Sequence, residues 1–274
     1  MTGRSPARPE RGRMRALLAA LALAWLPLAA ARARVVRLDT ALGPERVLVL
    51  RPAHPRATLV MLPGGTGRVG LTRTGRFRHG ANFLVRTRRD WVRRGFAVVI
   101  PDAPGGRDLR GHRHGPGFAA VVGGLVRLAR RRIGAPVILF GTSQGTIGAV
   151  NGAAHAAAGS VAGVVLTETV SVPGRLSRMT VFDADPAAVR APVMIVANRD
   201  DRCPVAPPGQ APAVARALGG ASSVTVRMVA GGAAGDRPCG SLGPHGYFGI
   251  EGRVEAAIAG WIGTLGLEKE KGGA

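Results

Sequence analysis

The segment Phe140-Gly141-Thr142-Ser143-Gln144-Gly145-Thr146 sets a serine between two glycines. An apolar run over 136–139 precedes it, and a small-residue stretch over 147–158 follows. Strand, G-x-S-x-G and helix in that order predict a sharp turn with Ser143 at its apex in a strained conformation. Gly141 and Gly145 keep side chains out of the crowded crossing of strand and helix. A serine hydroxyl is a weak nucleophile near neutral pH, so it needs a base within hydrogen-bond reach and a carboxylate to orient that base. The chain offers both downstream of Ser143. Asn198-Arg199-Asp200-Asp201 follows the apolar run 192–197, and His245 is the only histidine beyond His155. His245 sits between the last apolar run, 224–229, and the final helical pattern. Asp200 is the expected acid, with Asp201 and Glu168 (just past the run 161–166) as rivals. The backbone N–H groups of Gln144 and of Gly65, in the loop Pro63-Gly64-Gly65-Thr66-Gly67, are the expected donors to a developing oxyanion. That glycine loop lacks the Lys-Ser/Thr ending of a phosphate loop. His112 and His114 have the types for metal ligation but no third ligand at matching spacing, so no metal site is expected.

These residues need a scaffold. Apolar runs at 47–50, 58–62, 96–100, 136–139, 161–166, 192–197 and 224–229 read as strands. Helical periodicity covers 82–94, 118–132, 147–158, 213–218 and 250–265. Continuous apolar runs suit parallel strands buried on both faces, and their alternation with helices predicts an α/β domain with a mostly parallel sheet and helices on both faces. The polar segment 70–80 reads as a loop over the active face. Arg73, Arg76 and Arg78 belong to it and Arg68 lies just before it, either as contacts for an acidic substrate or as solvated surface. Residues 173–185 are irregular and too few for a large lid.

The 274 residues are 46% hydrophobic, which suits one sizeable domain. The formal charge is +22, yet lysine supplies only two of the 38 basic residues. Scattered arginine of this kind reads as a composition bias. With aromatics at 4% and no recognisable RNA or DNA module, specific nucleic-acid binding is excluded as a reading, and non-specific adhesion to polyanions is expected. Residues 1–33 read as a signal peptide: an arginine-rich start, an apolar stretch from 16 to 31 broken by Pro27, and small residues fitting an A-x-A site ending at Ala31 or at Ala33. The stretch is short for a membrane span, which leaves an uncleaved anchor as the alternative. The expected organisation is therefore 1–33 signal peptide, 34–267 catalytic domain and 268–274 a frayed charged tail. Export, periplasmic or secreted, permits a disulfide between the only two cysteines, Cys203 and Cys239. Such a bond would pin the loop of Asp200 to the loop of His245.

Taken together, Leu62-Pro63-Gly64-Gly65, Gly141-Thr142-Ser143-Gln144-Gly145, Asn198 to Pro204 and Pro244-His245-Gly246-Tyr247 make the chain resemble an α/β-hydrolase over nearly everything after residue 33. The resemblance implies an eight-stranded sheet, a Ser143–His245–Asp200 triad and an acyl-enzyme mechanism without metal or organic cofactor. It implies a small-molecule ester, amide or peptide as substrate. Pro-Gly-Gly stands where many esterases have His-Gly-Gly, and no cap is inserted, which separates the chain from lipases and epoxide hydrolases. The same fold also occurs in proteins that only bind.

Overall fold

A computed structural model describes residues 1–3 and 32–267. Contacts between Cα atoms divide the chain into Met1–Ala30 and Ala31–Ala274, and the fold is that of the second unit. Most of the expected signal segment and the tail 268–274 lie outside the described residues.

Eight strands form one sheet: β1 (Arg32–Leu38), β2 (Glu45–Arg51), β3 (Thr58–Leu62), β4 (Ala97–Pro101), β5 (Val137–Thr142), β6 (Gly163–Thr167), β7 (Val193–Asn198) and β8 (Val224–Val229). Their spatial order is β1-β2-β4-β3-β5-β6-β7-β8. Strand β2 runs antiparallel to both neighbours, and the six strands from β4 to β8 are parallel. The expected α/β class and mostly parallel sheet are therefore present.

The apolar runs have the reason expected of them. In β3, Val60 and Leu62 join the core on the face of the sheet that carries the helices α3 (Pro116–Arg132), α4 (Gln144–Ala154) and α5 (Ala211–Ala217). Leu59 and Met61 point the other way, toward α1 (Phe83–Arg86), α2 (Arg88–Arg93) and α6 (Glu251–Gly263). Each central strand is thus covered twice, and polar alternation has no place in it.

Two elements depart from the sequence expectation. No residue pattern pointed to β1, because it is an edge strand whose arginines stay in water while Val36 and Leu38 pack inward. The helix expected over 82–94 is two helices. Thr87 interrupts it with its hydroxyl donating to the Phe83 carbonyl at 2.8 Å, a local bond that competes with the helical ladder. Between β6 and β7 the chain forms only short 3-10 turns, at Val181–Asp183 and Pro186–Ala188, so no cap domain covers the sheet edge.

Candidate active site

Five loops leave the carboxyl ends of β3, β5, β6, β7 and β8 on one edge of the sheet, where open α/β sheets place their ligand sites. At the β5 loop, Ser143 takes φ 51° and ψ −126°, a conformation costly for a residue with a Cβ. The surroundings enforce it. The Ser143 N–H donates to the Thr167 carbonyl of β6 at 2.9 Å, and its own carbonyl accepts the Thr146 hydroxyl at 2.6 Å. A Cβ on Gly145 would lie 1.9 Å from the Leu62 carbonyl oxygen, and one on Gly141 would lie 2.5 Å from that of Gly145. Only glycine lets α4 start so close to the strands. From Val137 to Ala153, Ser143 is the one residue that is not buried.

His245 lies in a 3-10 turn, Pro244–Gly246, and is buried. Its Nε2 is 3.0 Å from Ser143 Oγ, and its Nδ1 is 2.8 Å from Asp201 Oδ2. Asp200, the acid expected from sequence, is not the histidine's partner. Asn198 decides between the two aspartates. Its side-chain oxygen accepts the Asp200 N–H at 3.1 Å while its backbone carbonyl accepts the Asp201 N–H at 3.0 Å. This turn sends Asp200 outward to accept the Gly231 N–H and brings Asp201 back under the imidazole. The Asn198 amide also donates to the Gly231 and Pro244 carbonyls, at 2.8 and 3.0 Å, tying the β7 loop to the histidine loop. The Cys203–Cys239 disulfide joins the same two loops. Closing a loop of this length stabilises by about 4 kcal/mol in the chain-entropy picture.

Gly64 and Gly65 follow β3 and lie against the serine turn: a Cβ on Gly64 would be 2.9 Å from Ser143 Cβ and 3.6 Å from the Gln144 nitrogen. The Gly65 and Gln144 N–H groups donate to no protein acceptor among the described residues. Sequence reading missed what braces this loop. Arg113, between His112 and His114, is fully buried and donates to the Gly65 carbonyl at 2.9 Å and the Pro63 carbonyl at 3.2 Å. Its own carbonyl accepts the Asn151 amide of α4 at 2.8 Å. Burial pulls this guanidinium down to about 9. Nothing in the local pattern separates Arg113 from its many exposed counterparts.

The cleft over Ser143 and His245 holds about 680 Å³, with Arg68, Arg78, His79, Asn82 and Ser241 among its walls and no carboxylate. Arg73 lines a separate hollow beside Asp102. The segment carrying Arg68 and Arg78 is held by Asp102, whose carboxylate accepts the N–H groups of Val69, Gly70 and Leu71 at 2.7–3.3 Å. Of His, Cys, Asp and Glu side chains close enough to share a cation, the described residues contain one group, Glu168, Asp201 and His245. Both ring nitrogens of His245 are already engaged there, so the donor set fits hydrogen bonding better than metal ligation.

Solved structures share this architecture at low identity. A dienelactone hydrolase from Anabaena variabilis matches 85% of this chain and 98% of its own, at 15% identity and a TM-score of 0.58. A cold-adapted esterase from an Arctic intertidal metagenomic library matches 88% of this chain and 96% of its own, at 16% and 0.59.

The chain has the α/β-hydrolase fold.

An acylaminoacyl peptidase from Pyrococcus horikoshii shares that fold with 90% of this chain, at 13% identity and a TM-score of 0.59, although the match spans only 44% of the peptidase. No family model matches the sequence, and no curated protein is similar to it at the sequence level. Within the α/β-hydrolase fold, Ser143, Asp201 and His245 occupy the loops after β5, β7 and β8. Among the described residues, no helix is long and apolar enough to cross a membrane.

Proposed function

We propose that this chain is an exported serine hydrolase that cleaves a carboxylic ester through an acyl-enzyme intermediate. The observation that carries the reading is the continuous line Ser143 Oγ–His245 Nε2 and His245 Nδ1–Asp201 Oδ2, at 3.0 and 2.8 Å, opening on a cleft. In this reading Ser143 attacks the acyl carbon while His245 Nε2 takes its proton. Asp201 accepts the Nδ1–H bond, selects the tautomer with a free Nε2 and stabilises the imidazolium. The Gly65 and Gln144 N–H groups receive the oxyanion, each contributing about 10²–10³ in turnover. The imidazolium then protonates the leaving alcohol, and water repeats the sequence to release the acid. Export is supported by the N-terminal pattern and by the disulfide.

Arg68 and Arg78 on the cleft wall, with no acidic counterpart there, favour esters that carry a negative charge in the acyl or alcohol part. The test is labelling with a fluorophosphonate, comparing the wild type with Ser143→Ala, followed by a panel of matched acidic and neutral esters and anilides. Labelling that Ser143→Ala abolishes, and a higher kcat/KM for the acidic ester that shrinks with salt, are expected. A folded, disulfide-intact wild type that does not label would leave a binding protein on this fold.

A further inference from the structure

Glu168 is the first residue past β6, and the hydrolytic scheme above gives it no part. It is held with φ 47°, and its side chain is buried. Its Oε1 accepts the Asn198 N–H at 2.9 Å, while its Oε2 has no donor among the described residues. A ligating oxygen of Glu168, one of Asp201 and a ring nitrogen of His245 all lie within 4.8 Å of one another. The other titratable neighbour is Tyr247, which is buried and whose hydroxyl donates to the Val196 carbonyl at 3.0 Å. Asp201 accepts the Cys203 N–H through Oδ1 at 2.9 Å and the imidazole through Oδ2.

Two ionised carboxylates have only acceptors to offer each other, and among the described residues no cationic side chain is bonded to either one apart from the imidazolium that forms in the reaction. A proton on one of the two relieves the repulsion and makes it a donor. Glu168 is the one with an oxygen to spare, since both Asp201 oxygens already accept an N–H. We propose that Glu168 is held as a neutral carboxylic acid whose Oε2–H donates to Asp201, making it the fourth member of the line that ends at Ser143. It acts through Asp201 as a positioning residue: it satisfies one of the aspartate's free lone pairs, fixes its rotamer under Nδ1, and leaves a single negative charge facing the imidazole. Burial first, and then Asp201, hold the Glu168 carboxyl well above the usual carboxylate range, in keeping with this assignment. Ionising Glu168 at alkaline pH would set a second negative charge beside Asp201 and hold the proton on the imidazole, which then no longer serves as a base.

The inference rests on reading Ser143 as the nucleophile, so its test separates the two. Infrared difference spectra of intact wild type against Glu168→Gln need no turnover. At neutral pH they are expected to show a protonated-carboxyl C=O band lost in the variant. Carboxylate bands lost instead would overturn the proposal whether or not the protein hydrolyses anything. In turnover, the amide of Glu168→Gln keeps both an N–H donor toward Asp201 and an acceptor for Asn198. Its neutral-pH kcat should stay within about threefold of wild type, while the alkaline fall in kcat expected of the wild type should disappear. Glu168→Leu, which lacks the donor, should lose tenfold or more in kcat with little change in KM. Superimposable pH profiles for wild type and Glu168→Gln, or a glutamine variant as impaired or as poorly folded as the leucine one, would each defeat the idea. Absence of fluorophosphonate labelling in the wild type counts against the hydrolase reading alone.

Discussion

At the scale of single residues, the choice between Asp200 and Asp201 rests on one turn. Asn198 uses its side chain and its carbonyl on consecutive N–H groups, so neighbouring aspartates face opposite ways. Asp201→Asn keeps the shape of the buried side chain but removes the charge that, in the proposed triad, selects the histidine tautomer. A loss of about 10³–10⁴ in kcat is expected, measured by steady-state kinetics on an activated ester. Asp200→Asn should stay within a few-fold of wild type, because the Asp200 side chain accepts only the Gly231 N–H and the carbonyl of an amide can accept the same bond. Equal losses in the two variants would contradict the assignment.

Among the elements, the loop after β3 depends on a helix approach that the serine motif does not include. Arg113, just before α3, holds the carbonyls of Pro63 and Gly65 from beneath, so the Gly65 N–H is aimed by a buried guanidinium. Arg113→Met fills similar space and leaves two carbonyls without donors, at a cost of about 1–3 kcal/mol each in a buried setting. Lower stability in urea denaturation is expected together with a tenfold or greater fall in kcat, while KM changes little, since in the proposed mechanism the lost support acts where the oxyanion would form. An unchanged kcat in the folded variant would remove Arg113 from this role. The opposite wall has a similar brace. Arg86 of α1 pairs with Glu251 of α6 at 2.9 Å and donates to the Ser241 carbonyl at 3.1 Å and to that of Gly246, clamping the histidine loop.

For the whole molecule, pH acts through buried acids. Desolvation raises Glu45 to about 8 and Glu255 to about 7, and keeps Glu168 well above its usual range. In the unfolded chain these carboxyls titrate near 4.5. Between pH 5 and 8 the folded state therefore binds more protons than the unfolded state, and stability falls as pH rises. The thermal midpoint should be lower at pH 8 than at pH 5, by roughly 2–4 °C for each kcal/mol lost in a domain of this size. A midpoint that rises over that interval would show that these carboxyls are already ionised in the folded protein. The export reading also has a test at this scale. Cleavage after Ala31 leaves β1 whole, whereas cleavage after Ala33 removes two residues paired with Arg51 and Leu50. N-terminal sequencing of exported protein should begin at Arg32.

Several features were determined by local sequence alone. They include the alternation of buried strands with helices, the turn at Ser143, the single downstream histidine and the pair of cysteines. Each is written in contiguous residues: a strand buried on both faces must be apolar throughout, and a turn this tight must have glycine at its crossing points. Tertiary structure decided the rest. The sequence pattern gave no sign of β1, because a basic edge strand needs only a few half-buried side chains, here Val35, Val36 and Leu38. Asp201 displaced Asp200 because a one-residue difference in a loop becomes a reversal of direction only once Asn198 is bonded to two other loops. Arg113 and Glu168 took their places for a related reason. Burial changes what a charge does, and burial depends on which distant segments pack over a residue, which no stretch of local sequence specifies.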